Sequence, residues 1–271
     1  TTIASVPLHR RVSRMQLRAT VARPAFVAEA LAVLAWLIFL GAVLTGRDRL
    51  LSHDALLEGG TAPFWLTLLA FLAAWQLMTG AMMLPSSFPM MRLFARASRG
   101  QAHPGLVLGV FLAAYFAVWT GFAAVALTAD AGLHWLVDRW GWLAARPWLI
   151  AGSVLLLAGA FQFSSLKENC LHECRTPLSF LRQHYQRGLG PAWTLGIKHG
   201  LACLGCCWAL MLVMFALGVG NIVWMIGLTA IMVTEKTTRW GRRLVPVVGI
   251  TLLALGLLVL LRPAWGLLFL P

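Results

Sequence analysis

The chain has 271 residues, of which 60% are hydrophobic and only 11% are charged, and its mean hydropathy is +0.79. A soluble domain of this length has too little interior to hide so much apolar surface. A lipid bilayer accepts apolar side chains around helices whose backbone is hydrogen-bonded internally. The composition therefore excludes an ordinary soluble protein and predicts an all-α membrane protein.

Seven apolar segments are long enough to cross a bilayer when the chain is read with a window of about 20 residues. In chain order they cover residues 25–45, 62–84, 104–128, 147–166, 198–218, 220–235 and 244–261. Because no linker, low-complexity tract or internal repeat interrupts them, we expect a single helical membrane domain over residues 25–271. Residues 1–24 form a basic cytoplasmic segment with no apolar core of the kind a signal peptide needs.

The basic residues are distributed unevenly between the two sides of this predicted topology. If the N-terminus is cytoplasmic, the inside segments hold 17 of the 22 Lys and Arg residues and the outside segments hold 5. The positive-inside rule therefore predicts a cytoplasmic N-terminus, an outside C-terminus and a multi-pass protein of the cytoplasmic (inner) membrane. Topology and attraction to anionic lipids explain the net charge of +13, so the expected partner is the lipid bilayer and not nucleic acid.

A few polar side chains interrupt the apolar segments. Gln76, Gln162 and Asn221 are expected to hydrogen-bond to neighbouring helices, because lipid offers them no partner.

Glu235 and Lys236 end the sixth segment, and two interpretations of them stay open. In one interpretation they lie around the ligands of a metal site, with Glu235 as a hard ligand or proton acceptor. In the other they are a charge pair at the membrane surface. Because consecutive helical residues diverge by about 100°, the two side chains cannot serve one ligand position.

Soft metal ligands are concentrated at one end of the second, fourth and fifth segments. The candidate ligands are Met78, Met82, Met83, Cys170, Cys174, His199, Cys203, Cys206 and Cys207. On the predicted topology these ligands, which include all five cysteines of the chain, lie in the cytoplasmic half of the bilayer. This one-sided distribution is the observation on which the functional prediction depends.

Helical periodicity places several of these ligands on common faces. His199, Cys203 and Cys206 fall within about 60° of one another, and Cys170 and Cys174 lie one turn apart. Thiolates and thioethers are soft donors that select Cu(I), while thiolates with imidazole also suit Zn(II). Because the cytosol keeps thiols reduced, free thiols are available there as ligands. The pattern predicts a soft-metal site, with copper as the expected ion and zinc as the alternative.

The same residues also have a purely structural interpretation. Met and Cys in membrane helices commonly serve packing, since thioethers fill irregular gaps and thiols behave as small apolar groups. Cys206 and Cys207 are adjacent and cannot point the same way, and the C-x3-C spacing of Cys170 and Cys174 is a weak metal motif. The concentration of both cysteine groups and the methionines in one half of the bilayer favours the metal site.

Four stretches of the sequence resemble a known family. They are WQLMTGAMMLPSSFP, FQFSSLKENCLHECRTPLSFL, HGLACLGCCWALMLVMFALGVGNIVWM and the EK pair at 235–236. They resemble a bacterial domain family of unknown function described as predicted metal-binding integral membrane proteins. The resemblance covers roughly residues 60–240, and the GCCW-x-LM and C-x3-CR-x-P runs are its most specific parts. It implies metal binding, with copper as the expected ion, at Cys170, Cys174, Cys203, Cys206 and Cys207 and, less specifically, at Met82 and Met83.

The sequence leads to one main functional prediction and two alternatives. The main prediction is a membrane protein that binds Cu(I) at a Cys/Met site in the cytoplasmic half of the bilayer, for delivery, storage or transport. A metal chaperone or other membrane subunits are the expected protein partners. The alternatives are a structural or assembly subunit of a membrane complex and a thiol or haem redox protein. No catalytic constellation is recognised, so the sequence favours a binding protein over an enzyme.

Overall fold

The computed structural model describes residues 8–46, 63–217 and 221–261, which form helices joined by short turns, with no strand among them. In chain order the helices are α1 (Leu8–Leu44), α2 (Phe64–Met82), α3 (Leu84–Ala97), α4 (Pro104–Arg139), α5 (Gly141–Ala144), α6 (Pro147–Phe161), α7 (Ser165–Arg175), α8 (Pro177–His184), α9 (Leu189–Leu217), α10 (Ile222–Thr237) and α11 (Gly241–Leu261). The predicted all-α class is confirmed.

Four helices of the described residues are long and apolar enough to cross a membrane. These spans are Phe26–Leu44 within α1, Pro104–Arg139, Leu189–Met214 and Gly241–Leu261. The number rises to six if the bent pairs α2–α3 and α6–α7 each count as one span. The predicted number of seven is not confirmed, because the sixth predicted segment corresponds to α10, whose 16 residues fall short of the roughly 20 that a span needs. The orientation of the termini stays a prediction.

The two bent pairs both carry predicted ligands. α2 and α3 meet at 71° around Met83, where Pro85 in the first turn of α3 removes a backbone donor. α6 and α7 meet at 63°, and the side chain of Ser164 accepts the backbone N–H of Lys167 to start α7. Met83, at the first bend, contacts Cys207 of α9, and after the second bend α7 packs against α9, so that its cysteines approach that helix.

α9 is the central helix of the bundle and packs against α4, α6, α7 and α10. Glycines make two of these contacts close: a Cβ at Gly196 would overlap the carbonyl oxygen of Phe111 on α4, and one at Gly205 would lie 2.5 Å from the Cys170 Sγ on α7. Small residues permit such close approach of helices in membrane bundles. The glycines thereby fix how near the side chains of α4 and α7 come to the thiols of α9.

The interior of the bundle is rich in methionine. All nine methionines whose side chains are described are at most 2% exposed. Leucines, by contrast, occur both in the core and on the outer surface, where sixteen of them are 40% exposed or more. Both residue types are compatible with lipid, so the exclusive burial of methionine gathers the thioethers inside the bundle.

The structure tests the interhelical hydrogen bonds predicted for three polar side chains of the apolar segments, and the three differ. Gln76 donates to the carbonyl oxygen of Phe116 on α4 at 3.2 Å, so its predicted interhelical hydrogen bond is confirmed. The prediction for Asn221 is wrong, because this side chain caps its own helix by accepting the N–H of Val223. Gln162 is 3% exposed, and neither atom of its amide has a partner among the described residues, so the predicted interhelical bond is absent.

Candidate metal centre

α9 carries four of the predicted ligands on its buried side. His199 is 4% exposed, and Cys203, Cys206 and Cys207 are at most 1% exposed, whereas Leu201 on the opposite side is 54% exposed. The helical period of 3.6 residues produces this division between an inward thiol face and an outward apolar face. Cys203 and Cys206 also form a C-x-x-C motif, which is visible in the sequence itself.

The first sulfur pair joins α7 to α9. The Sγ atoms of Cys174 and Cys206 lie 3.9 Å apart. Cys206 is fully buried and Cys174 is half-buried, so the pair extends from the edge of the bundle to its interior. Cys170, one turn before Cys174, is also half-buried and packs beside Gly205.

The second sulfur pair joins α9 to the bend between α2 and α3. The Cys207 thiol points to the Met83 Sδ at 3.6 Å, and both side chains are at most 1% exposed. Met78 and Met82 are also fully buried in the same core, along the inner side of α2. The structure thus places the Met83 thioether in contact with the Cys207 thiol.

The ammonium of Lys236 lies between the thiols of α9 and the start of α3. Its Nζ is 3.1 Å from the Cys203 Sγ, 3.8 Å from the Cys207 Sγ and 3.1 Å from the Ser86 Oγ. Lys236 is 5% exposed, so its positive charge is held away from water. A buried cation beside thiols favours negative charge on sulfur and balances that charge.

Glu235 lies apart from the sulfur atoms and pairs with a different lysine. Its Oε2 accepts a hydrogen bond from the Lys167 Nζ at 2.7 Å, and both side chains are at most 2% exposed. The Arg175 guanidinium donates to the carbonyl oxygens of Glu235 and Thr238, which end α10. Glu235 and Lys236 are thus neither a pair with each other nor exposed at a surface; each has its own buried partner.

Two site residues were not predicted from the sequence. The Tyr115 hydroxyl of α4 lies 3.1 Å from the Cys203 Sγ, and Ser87 of α3 donates to the same hydroxyl at 3.3 Å. Tyr115 is fully buried. The chain has only two tyrosines, so a phenol in the middle of an apolar segment was a usable signal.

His199 lies in an aromatic cluster. Its ring stacks on Tyr115 and Phe111, with centroids 5.7 and 5.9 Å apart, and meets the edge of Phe180 at 6.0 Å. Its Nε2 is buried and has no hydrogen-bond partner among the described residues. The structure therefore places His199 beside the phenol that contacts Cys203, one helical turn from the sulfur atoms.

The donor set fits a soft ion of low coordination number. Two sulfur atoms bound to one ion at about 2.3 Å and at a tetrahedral angle lie about 3.8 Å apart. The separations of 3.9 and 3.6 Å in the two pairs are close to this value. Among the described residues no group of three or more His, Cys, Asp or Glu side chains is arranged to hold a metal ion. Each pair therefore supplies two soft donors, and neither belongs to a closed four-ligand site of the structural zinc type among the described residues.

The fold and the centre together define a class, an all-helical protein with four to six helices long and apolar enough to cross a membrane and with thiols and thioethers gathered in its interior. Residues 72–259 match the family PpoB2, described as copper chaperone, and the chain belongs to this family. The matched residues include every ligand predicted from the sequence. This match fits the metal-binding family that the sequence predicts, and the family's description indicates copper handling. No curated protein and no solved structure matches the chain.

Proposed function

We propose that this protein binds Cu(I) within the cytoplasmic membrane at the two sulfur pairs, and that it delivers the ion to an acceptor. Cys174 and Cys206 form one pair, and Cys207 and Met83 form the other. The family supports the handling of copper. The observation that carries the proposal is the approach of sulfur atoms from α7, from α9 and from the bend between α2 and α3 to each other, with two thiols of α9 beside one buried lysine.

Charge balance supports Cu(I) as the ion. Two thiolates with one Cu(I) carry a net charge of −1, and an unbalanced charge in a buried site is costly. The Lys236 ammonium contacts Cys203 and Cys207 and interacts electrostatically with Cys174 and Cys206, so it can balance this charge. The same two thiolates with Zn(II) would be neutral, and Lys236 would then lack a counter-charge. The Cys174–Cys206 pair is therefore matched to a monovalent ion.

The exposure of the first pair supports delivery rather than permanent storage. Cys174 is half-buried at the edge of the bundle, whereas Cys206 is 1% exposed. A thiolate of a carrier or acceptor protein can therefore approach Cys174 and exchange with it, while Cys206 keeps the ion bound. Ligand exchange of this kind transfers Cu(I) without releasing it to water.

Copper loading of the purified chain tests the proposal. The full chain is loaded with Cu(I) under anaerobic conditions, and bound copper is measured by plasma mass spectrometry for the wild type and for Cys206→Ser/Cys207→Ser. We expect the variant to lose most of its copper, because one thiol of each pair is removed. Cys170→Ser is the matched control and should retain its copper, since Cys170 belongs to neither pair. Equal copper in the wild type and the double variant would exclude the proposed centre.

A further inference from the structure

A polar cavity lies between the α6–α7 bend and the start of α11. Its volume is about 450 Å³, and its wall includes Ser164, Lys167, His172, Arg175 and Arg242. Cys170 and Cys174 are not part of this wall, and their face of α7 is turned toward α9. The cavity is therefore separate from the sulfur pairs.

The charges around the cavity are predominantly positive. Lys167 forms an ion pair with Glu235, so its charge is neutralised. The rest of the wall then holds two positive guanidinium groups, those of Arg175 and Arg242, and one carboxylate, that of Glu168. The two guanidinium groups are close enough to repel each other. Arg175 uses two N–H groups on the carbonyls at the end of α10, so it can still donate others into the cavity. Such a pair of guanidinium groups is the usual recognition element for phosphate.

Two helix N-termini border the same cavity. Ser164 caps α7, a helix of 11 residues, and Arg242 is the second residue of α11, a helix of 21 residues. The first turn of a helix has free backbone N–H groups and a partial positive charge, both of which favour an anion. The wall of the cavity thus combines positive side chains with positive helix ends.

Gln162 supplies an independent indication that a ligand belongs in this cavity. It lines the cavity and is 3% exposed, and neither its amide oxygen nor its amide nitrogen has a partner among the described residues. A buried amide without hydrogen bonds is unfavourable, and it is rarely retained unless a water, an ion or a ligand satisfies it. A phosphate group, whose oxygens accept hydrogen bonds, would satisfy the amide nitrogen.

We propose that this cavity binds a phosphate-class anion, either the headgroup of an anionic phospholipid or a free phosphate, through Arg175, Arg242 and Gln162. The neighbouring surface favours the lipid as the source. Trp240 is 68% exposed, and the Arg243 guanidinium lies 4.7 Å from the centroid of its ring. An exposed tryptophan with a basic residue marks the level of the lipid headgroups, so the cavity opens where anionic headgroups are available.

Lipid retention by the full chain tests the site. The protein is placed in nanodiscs of zwitterionic lipid, phosphatidylglycerol is titrated in, and the lipids that stay bound are counted by native mass spectrometry. We expect the wild type to retain one anionic lipid. Arg242→Gln should weaken retention at least about fivefold, the loss that one basic residue near the membrane surface predicts. Arg239→Gln is the matched control, because it removes one exposed positive charge of the same surface outside the cavity.

A second variant and a second ligand keep the test decisive. Gln162→Leu should weaken retention while leaving the net charge unchanged, and its thermal unfolding midpoint reports whether the bend is intact. Inorganic phosphate is titrated separately in zwitterionic nanodiscs. Saturable phosphate binding that Arg242→Gln reduces would support the site with free phosphate as its ligand. Equal lipid retention by the wild type, Arg242→Gln and Arg239→Gln, with no phosphate binding, would overturn the proposal.

Discussion

The Sγ atoms of Cys174 and Cys206 lie 3.9 Å apart across the contact between α7 and α9, although 32 residues separate them along the chain. The 63° bend before α7 and the absence of a side chain at Gly205 bring the two helices into this contact. If both thiols hold one ion, their contributions to copper affinity cannot be independent. The predictions below follow from this pairing and from the charges around it.

Cys174→Ser and Cys206→Ser should each lower Cu(I) affinity by roughly tenfold or more, equivalent to at least about 1.4 kcal/mol. The double variant should bind scarcely more weakly than either single variant, because the first substitution already breaks the two-thiol site. Competition with a chromophoric Cu(I) chelator measures the three affinities. Additive losses in the double variant would show that the two thiols do not share an ion.

Lys236→Met should weaken Cu(I) binding while Zn(II) binding weakens less or improves. The substitution removes the buried cation whose charge acts on Cys174 and Cys206 and balances their anionic Cu(I)–dithiolate unit, and methionine fills a similar volume. The ratio of the two affinities, measured by chelator competition, should shift by about tenfold toward Zn(II). Lys198→Met, which removes an exposed charge from α9, is the control and should leave the ratio unchanged.

Met83→Leu should lower Cu(I) affinity, because it removes the thioether that lies 3.6 Å from the Cys207 thiol while keeping the volume of the side chain. The expected loss is smaller than for a thiol, since the thioether is a neutral donor. Met90→Leu is the control, because Met90 is also buried but lies seven residues further along the chain, within α3. A chelator competition in which both variants match the wild type would remove Met83 from the centre.

The sequence predicts which residue types gather in this centre but not how they pair. The sulfur atoms were placed at one end of three segments, and the structure does bring Met83, Cys174, Cys206 and Cys207 into two contacts. Which thiol meets which partner depends on helix rotation and on bends of 71° and 63°, and apolar periodicity carries no information on either.

The exact boundaries of the helices could not be predicted from the sequence either. The described part of the predicted segment 198–218 lies in α9, which begins nine residues earlier at Leu189, and the segment 104–128 is part of α4, which continues to Arg139. Hydropathy reports where lipid can surround a helix, whereas the backbone remains helical until a capping or proline residue stops it. For this reason the all-α class was predictable from the sequence, and the exact spans were not.

Gly196→Ala should destabilise the protein by about 1–3 kcal/mol. A Cβ at this position would overlap the carbonyl oxygen of Phe111, so α4 and α9 must separate. Because α9 supplies one thiol to each sulfur pair, a shift of this helix should lower Cu(I) affinity as well. Gly190→Ala is the matched control on the same helix, since a Cβ there would meet nothing within 4 Å. Thermal unfolding in detergent measures both variants, and equal midpoints would contradict the close approach.

Lys167→Met should destabilise the fold by about 3–5 kcal/mol, because it leaves the Glu235 carboxylate buried without its cation. Lys167→Met/Glu235→Gln should recover most of this loss, since the double variant contains no unpaired buried charge. Unfolding curves of the wild type, both single variants and the double variant form a thermodynamic cycle that isolates the pair.

The same cycle separates the pair from the copper centre. Glu235 contacts Lys167 and not the thiols, so the folded double variant should bind Cu(I) with nearly wild-type affinity. A double variant as unstable as Lys167→Met would show that Lys167 acts through contacts other than Glu235. A double variant that folds but has lost copper would instead assign the Lys167–Glu235 pair a part in the centre, because Lys236 keeps its own contacts to Cys203 and Ser86.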